Sequence, residues 1–341
     1  MQNKNYLLGW IVGSLFILFC SSIYAITFDK IVVFGDSLSD NGNVFSFTST
    51  AHKAIPRIPI IPKEPPYVQG RFTNGQVWIE HLAQLLTIPL DDYAYGGAWV
   101  ESVFDSKQTF PFSLGMQVNF YLVRSYLDNE KAKHLYVIWV GSNDYIQGRA
   151  DVEYATSNTI ATIKNQIDWL IYYGANNFLL LNLPDLSLTP EVMQKGPAFV
   201  ENVNKLSQLH NDKFVMMIDE LQKQYPQVQF YSLNIAHYFQ EMIEHPDEFH
   251  IKNINEACYD GGFFLRTNSI DSTEIQSAKE AHIDIMQNAS LRIAYLTSRN
   301  AAFGQQPCVN PDEYLFWDPI HPTRIVHQLL SGYALSLLGS K

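Results

Sequence analysis

Short apolar runs alternate with long amphipathic runs along most of this chain. Runs rich in β-branched and aromatic residues predict buried strands at 30–34, 135–140, 178–181 and 228–231. Apolar residues at helical spacing predict helices at 75–86, 152–173, 198–224 and 323–338. Strands that alternate with helices form a parallel sheet that helices cover on both faces. We therefore predict an α/β fold that binds its ligand beyond the carboxyl ends of the strands.

The first predicted strand runs into a small, turn-forming sequence, Gly-Asp-Ser-Leu at 35–38. This turn would place the hydroxyl of Ser37 at the carboxyl edge of the sheet. A serine hydroxyl becomes a good nucleophile when an imidazole accepts its proton, and the imidazole needs an acceptor on its other nitrogen. Asp318 and His321 offer both groups on one loop, within Trp-Asp-Pro-Ile-His-Pro at 317–322. Alternatively, the serine sequence is an ordinary turn after a strand.

Two segments between these ends provide candidate hydrogen-bond donors. Attack on an ester carbonyl creates an oxyanion, and donors must point to the place where that charge develops. The candidates are the backbone N–H of Ser37, the backbone N–H of Gly97 in the glycine pair of 92–98, and the side-chain amide of Asn143. Asn143 follows a predicted strand, so its alternative role is that of a turn residue.

With these segments in this order, the chain resembles the GDSL, or SGNH, hydrolases. It is most similar to their bacterial secreted lipase and phospholipase branch, which includes the glycerophospholipid:cholesterol acyltransferases. Further similar stretches lie at 70–78, 183–185 and 210–211, so the resemblance spans most of the chain. One departure is Asp92, where the family usually has Asn.

The resemblance implies a fold and a set of roles. The fold is a three-layer, flavodoxin-like α/β/α sandwich with a central parallel sheet. Ser37 is the implied nucleophile, Asp318 the orienting carboxylate and His321 the base, and the implied oxyanion donors are Ser37, Gly97 and Asn143. The implied substrate is an acyl ester of a lipid, with a sterol as an alternative acyl acceptor to water.

The amino terminus has the pattern of a secretory signal. Lys4 precedes an apolar run at 7–20, and small residues lead to Ala25. The run is shorter than the ~20 residues that a membrane-spanning helix needs. We predict cleavage after Ala25 and a secreted or periplasmic protein, with an uncleaved anchor as the alternative. Residues 26–341 are then expected to form a single domain with loop insertions near 45–70 and 250–310.

Removal of the signal would leave two cysteines, Cys258 and Cys308. An even pair in an oxidising compartment predicts a disulfide, although two free buried thiols are the alternative. The enclosed segment is mostly polar and lies shortly before His321. We hypothesise that it partly covers the site.

The stretch 54–67 combines five prolines with apolar residues, which is unusual for a linker. One interpretation is a rim that faces an acyl chain or a membrane. The other is a loop that packs on the domain surface.

Composition and spacing exclude several function classes. The chain carries 23 basic and 34 acidic residues, with a net charge of −11, which argues against nucleic acid as a partner. The same charge disfavours electrostatic binding to anionic bilayers, so contact with a membrane interface would be apolar and transient. The sequence shows neither the ligand spacing of a zinc site nor a glycine-rich nucleotide motif, so we expect no metal and no cofactor.

Other titratable residues have structural explanations. We expect His81, His210 and His327 to be packing or capping residues, and Asp36 and Asp40 to bind loop backbone.

The sequence therefore predicts a secreted serine esterase that forms an acyl-enzyme, most simply a lipase or (lyso)phospholipase A. The alternatives are a carbohydrate or short-chain acetyl esterase and a non-catalytic binding or adhesion module.

Overall fold

A five-stranded parallel sheet forms the centre of the computed structural model, which describes residues 28–100, 113–260 and 270–339. Its strand order is β2-β1-β3-β4-β5, which is the flavodoxin-like order. The strands are β1 (Ile31–Gly35), β2 (Leu90–Asp92), β3 (Leu135–Trp139), β4 (Asn177–Leu181) and β5 (Gln229–Leu233). Two further strands, β6 (Asn253–Ala257) and β7 (Tyr314–Phe316), pair separately. The predicted signal at 1–25 lies outside the described residues.

Eleven α-helices are found in the described ranges. They are α1 (Asn43–Ala54), α2 (Trp78–Leu86), α3 (Leu114–Arg124), α4 (Ser142–Tyr145), α5 (Val152–Tyr172), α6 (Pro190–Met193), α7 (Pro197–Gln224), α8 (Ile235–Glu244), α9 (Ser272–Glu280), α10 (Ala289–Ala302) and α11 (Arg324–Gly339). In this part of the chain, no helix combines the length and the apolarity that a membrane span requires.

The two faces of the sheet carry separate cores because successive strand residues point to opposite sides. Ile31 and Val33 of β1 belong to a core that includes side chains of α2, α8 and α11. Val32 and Phe34 belong to a second core that includes side chains of α3, α5 and α7. The chain thus forms the predicted three-layer α/β/α sandwich.

A third core lies at the carboxyl edge of the sheet. It joins the stretch 54–67 to the segment between the two cysteines, through Ile58, Ile61 and Tyr67 on one side and Ile283 and Tyr295 on the other. Ile58, Ile61 and Tyr67 of the proline-rich stretch are thus buried, while Ile55 is exposed, which favours the packed loop over the exposed rim.

Both expected insertions contain regular structure. Residues 43–54 form helix α1 instead of a loop, and the described part of 250–310 contains β6, α9 and α10. Cys258 and Cys308 form a disulfide, as expected. The backbone next to Cys258 also pairs with the chain just before Asp318, since the N–H groups of Cys258 and Tyr259 donate to Phe316 and Trp317.

The sheet also determines where a site can form. The chain runs from β1 to β2 on one side and then crosses back to β3 on the other side of β1, so the strand order reverses here. Such a switch point opens a crevice beyond the carboxyl ends of the two central strands. Ser37 lies two residues beyond the end of β1, and Asn143 lies four residues beyond the end of β3, at the start of α4.

Candidate active site

Ser37, His321 and Asp318 form a continuous hydrogen-bonded chain beyond the end of β1. Nε2 of His321 lies 2.8 Å from Oγ of Ser37, and Nδ1 lies 2.7 Å from Oδ2 of Asp318. All three side chains are buried. The fold therefore brings Ser37 to a pair of residues that lie about 280 positions further along the sequence.

A tight turn fixes the two loop residues relative to each other. Oδ1 of Asp318 accepts the backbone N–H groups of Ile320, at 2.9 Å, and of His321, at 2.8 Å. Burial favours a raised pKa for Asp318, but the charge and hydrogen bond of His321 and the hydroxyl of Tyr67 outweigh it, so that the pKa lies below its ordinary value. An ionised Asp318 accepts the Nδ1 proton, which leaves Nε2 as the acceptor for the Ser37 hydroxyl.

The serine turn depends on Gly35 and on backbone hydrogen bonds. A Cβ at Gly35 would lie 2.8 Å from the carbonyl oxygen of Trp139, so the position accepts only glycine without displacement. The side chain of Gln117 binds both backbone groups of Gly35, at 2.9 and 2.8 Å. The N–H groups of Ser39 and Asp40 donate to the carbonyl of Asp36 and close the turn.

The glycine pair forms a β-turn over residues 95–98, with the N–H of Ala98 donating to Tyr95 at 2.9 Å. Gly97 occupies the third position with φ of +80°, a conformation that favours glycine. A Cβ at Gly96 would lie 2.1 Å from the ring of Phe72, which packs 5.3 Å from the His321 ring. Glycine is thus favoured at 97 by the backbone conformation and at 96 by the close approach of Phe72.

Asn143 has a role beyond that of a turn residue, because both ends of its amide are engaged. Nδ2 donates to the carbonyl of Ala98 at 3.0 Å, and Oδ1 accepts the hydroxyl of Ser290 at 2.8 Å. An amide nitrogen carries two protons, so one remains for a ligand. Within the described ranges, the backbone N–H groups of Ser37 and Gly97 have no hydrogen-bond acceptor, so they too are available.

The aspartates near the serine bind loop backbone, as expected. Oδ1 of Asp36 accepts the N–H of Leu38, and the Asp40 carboxylate accepts four N–H groups, including that of Gly96 at 2.7 Å. Burial raises the pKa of Asp36 and of Asp40 to about 6. The pKa of Asp92 is also raised, first by burial and then by the charge of Asp40. The Asp92 carboxylate accepts the N–H groups of Asn41 and Ala94, so it links the serine turn to the glycine turn.

The other candidate histidines have structural partners. Nδ1 of His327 accepts the N–H of Trp78 at 3.2 Å, and Nδ1 of His210 lies 3.0 Å from the Tyr145 hydroxyl. Burial lowers the pKa of each to about 3. Burial also lowers the pKa of His81.

Comparison with known proteins decides the family. The model of the GDSL-like lipase/acylhydrolase family matches residues 31–332. The chain belongs to this family. It is accordingly a serine ester hydrolase.

Three relatives illustrate the range of proteins that are similar to this chain. The phosphatidylcholine-sterol acyltransferase of Aeromonas hydrophila is 29% identical over 324 residues, covering 92% of this chain and 91% of the relative. A GDSL esterase/lipase of Arabidopsis thaliana is 23% identical over 372 residues, covering 94% and 91%. The thermolabile hemolysin of Vibrio parahaemolyticus is 26% identical over 308 residues, covering 89% of this chain and 62% of the relative.

A cavity of about 450 Å³ begins at Ser37 in this GDSL hydrolase. It extends between α8, the loop at 184–189 and the middle of α7. Its apolar lining consists of Leu38, Ile146, Pro184, Leu186, Leu188, Ala236, Phe239, Ile243, Phe316, Ile320 and Pro322. The site thus continues into a mostly apolar space.

Sequence reasoning on the hydrolase missed four residues that contact the site: Tyr67, Phe72, Asn288 and Ser290. Asn288 precedes a helix and caps it by accepting the N–H of Leu291, so a capping signal was present in the sequence. Nothing local indicated that this helix begins beside the glycine turn.

Potential metal ligands of the hydrolase group together at the end of α8. Ligand atoms of Glu241, Glu244 and His245 lie within 4.8 Å of one another. Glu244 and His245 are exposed, and exposed acidic groups commonly cluster without an ion. The cluster alone therefore does not indicate a metal site.

Proposed function

We propose that this hydrolase cleaves acyl esters of lipids through an acyl-enzyme on Ser37. The observation that carries the proposal is the 2.8 Å contact between Ser37 and His321 at the start of an apolar cavity. In this proposal His321 is the base and Asp318 orients it, while Ser37, Gly97 and Asn143 donate to the oxyanion.

The reaction would proceed in two half-reactions. His321 accepts the Ser37 proton as Oγ attacks the ester carbonyl, and the backbone N–H groups of Ser37 and Gly97 and the Asn143 amide stabilise the oxyanion. The carbonyl re-forms and the alcohol leaves with the proton from His321. Water then attacks the acyl-enzyme by the reverse sequence, which releases the fatty acid and restores Ser37.

The cavity supports a long acyl chain over an acetyl group. Polar residues also line it, but most of its surface is apolar, and burial of each methylene there would stabilise the bound substrate by about 0.8 kcal/mol. An acetyl group would leave most of the space unused. A carbohydrate or short-chain acetyl esterase is accordingly the weaker candidate.

Transfer to a sterol is a second candidate activity. It is supported by the 29% identity, over 92% of this chain, to a protein named as a phosphatidylcholine-sterol acyltransferase. In this reaction a sterol hydroxyl replaces water in the second half-reaction, with the same proton movements. The proportion of the two products depends on how the acceptor competes with water at the acyl-enzyme.

We also propose a secreted or periplasmic location, with the signal at 1–25 cleaved and residues 26–341 forming one domain. The disulfide between Cys258 and Cys308 supports an oxidising compartment. Contact with the lipid interface would be apolar and transient, because the net charge of −11 disfavours anionic surfaces.

The first experiment measures fatty-acid release from phosphatidylcholine, lysophosphatidylcholine and an acetyl ester, with and without cholesterol. We expect Ser37→Ala to reduce release to background, because loss of a serine nucleophile costs on the order of 10⁶-fold in a well-studied protease. Ser46→Ala, an exposed serine on α1, is the matched control and should retain full activity. Release by Ser37→Ala equal to that of the parent would refute the mechanism.

A second experiment tests the acyl site. Ala236 lines the cavity on α8, and Ala236→Trp should fill part of it. We expect release of long acyl chains to fall at least tenfold while short esters keep most of their rate. Ala198→Trp, at an exposed position on α7, controls for the added tryptophan. Equal losses for long and short esters would refute an acyl chain in this cavity.

A further inference from the structure

The start of helix α10, from its cap Asn288 to Ser290, contacts two of the three proposed donor residues, Gly97 and Asn143. Nδ2 of Asn288 donates to the carbonyl oxygen of Gly97 at 2.6 Å. The hydroxyl of Ser290 donates to Oδ1 of Asn143 at 2.8 Å. Asn288 and Ser290 are both buried, so water does not replace these bonds readily.

The Asn288 contact completes the support of the glycine turn. The N–H of Gly97 belongs to the peptide unit between Gly96 and Gly97. On one side of this unit, the N–H of Gly96 donates to Asp40 at 2.7 Å. On the other side, Asn288 binds the Gly97 carbonyl, so that the donor peptide is held from both directions.

The Ser290 contact defines which end of the Asn143 amide faces the ligand. With Ser290 donating to Oδ1, Nδ2 must face the carbonyl of Ala98 and the site. If the amide were flipped, Oδ1 of Asn143 would face the carbonyl oxygen of Ala98, and two acceptors would meet without a proton between them. The Ser37 hydroxyl lies 3.4 Å from Ser290 and 2.8 Å from His321, so its proton goes to His321 and the Ser290 proton remains with Asn143.

We propose that Asn288 and Ser290 are positioning residues that hold the oxyanion donors in place, and that the disulfide-bounded segment thereby completes the catalytic site. The inference rests on the proposed function of Gly97 and Asn143. It also explains why the cap of α10 is asparagine. Aspartate caps a helix equally well, but only asparagine also donates to a carbonyl.

The first test is Asn288→Asp. This variant keeps an acceptor for the N–H of Leu291 and loses the donor to Gly97. We expect kcat on p-nitrophenyl butyrate to fall roughly 10- to 100-fold with little change in KM, since loss of a whole oxyanion donor costs about 10²- to 10³-fold. Asp271→Ala is the matched control, because it removes the cap of α9 in the same disulfide-bounded segment and should leave kcat unchanged.

The second test is a double-mutant cycle between Ser290 and Asn143. Ser290→Ala should lower kcat roughly tenfold in the parent and leave it unchanged in the Asn143→Ala background, because the hydroxyl acts through that amide. A merely structural role would lower kcat equally in both backgrounds, and that result would overturn the proposal. If Asn288→Asp fails to fold, the double-mutant cycle alone tests the positioning role.

The outcomes also separate this inference from the proposed function. Full activity in Ser37→Ala and Asn143→Ala would refute the proposed function. Loss of activity in those two variants, with unchanged kcat in Asn288→Asp and Ser290→Ala, would refute only the positioning role.

Discussion

The hydroxyl of Tyr67 donates to Oδ2 of Asp318 at 2.6 Å, and the same carboxylate oxygen lies 2.7 Å from Nδ1 of His321. This one oxygen of Asp318 thus accepts two hydrogen bonds, one from the Tyr67 hydroxyl of the proline-rich stretch and one from the imidazole N–H of His321. Tyr67 is buried, and its bond contributes to the lowered pKa of Asp318. The proline-rich stretch therefore affects the candidate base through a hydrogen bond.

Tyr67→Phe should weaken catalysis without abolishing it. The variant removes one hydrogen bond to a charged group, which is typically worth about 1.5 to 3 kcal/mol, and part of that loss should appear as a three- to tenfold lower kcat. Steady-state kinetics on p-nitrophenyl butyrate would measure it. Tyr259→Phe is the control, because Tyr259 lies in the same third core but donates to Gln305. Equal kcat values for the two variants would contradict the prediction.

Gly97→Ala should reduce both activity and stability. The new Cβ would lie 2.6 Å from the Asn288 side chain, and the φ of +80° costs about 1 to 2 kcal/mol for a non-glycine residue. We expect kcat to fall about 100-fold or more. Gly304→Ala has a similar φ of +86° but open space around it, so it should lose stability alone. A large loss of activity in Gly304→Ala would show that backbone strain, and not the Asn288 contact, lowers kcat.

Replacing both cysteines by alanine should destabilise the protein. The disulfide closes a loop with a sequence separation of 50, worth about 4 kcal/mol in the chain-entropy model. We expect the free energy of unfolding in urea to fall by a comparable amount. Dithiothreitol should destabilise the parent to the same extent and leave the double variant unaffected. If the urea midpoint of unfolding changed in neither experiment, the disulfide would have no stabilising role.

The buried Asp36 should make stability fall as the pH rises. Its pKa is about 6 in the folded protein and 3.8 ordinarily, so between these values the folded state binds more protons than the unfolded state. The free energy of unfolding of the parent, relative to Asp36→Asn, should fall by up to about 3 kcal/mol from pH 4 to pH 6. The loss should be complete above pH 6.

The exposed helix cap Asp271 provides a control of opposite sign. Hydrogen bonds from the N–H groups of Glu274 and Thr273 lower its pKa, so its contribution is present above its ordinary pKa and is lost as the pH falls. Urea unfolding from pH 6 down to below the ordinary pKa of 3.8 measures both differences, since the Asp271 contribution is lost only below that value. The same sign for Asp36→Asn and Asp271→Asn would contradict the assignment.

Strong periodicity made much of the fold predictable. The predicted helix at 152–173 corresponds to Val152–Tyr172, and the predicted helix at 198–224 corresponds to Pro197–Gln224. Helix α1 was missed because its Ser, Thr and Phe residues are weak helix formers. Its start is stabilised instead by Asp40, whose carboxylate accepts the N–H groups of Asn43 and Val44.

The site was predictable where its residues adjoin strand ends or share a short loop. Ser37 follows β1, and Asp318 and His321 share one turn. Tyr67 and Ser290 are different, since each reaches the site through the packing of an insertion against the third core. Contacts of this kind depend on the tertiary arrangement, and no local pattern encodes them.

The pairing of β1 with β3 has a consequence for how such an enzyme can diversify. Gly35 and Trp139 are register partners at the carboxyl ends of these strands, so the backbone ladder sets the spacing between the serine turn and the segment that bears Asn143. The cavity beyond them is lined instead by α8, by the loop at 184–189 and by α7. Mutations in those walls can therefore change which acyl chains fit while the distances between the reacting groups stay the same. Single substitutions can thus change the substrate preference of such an enzyme gradually.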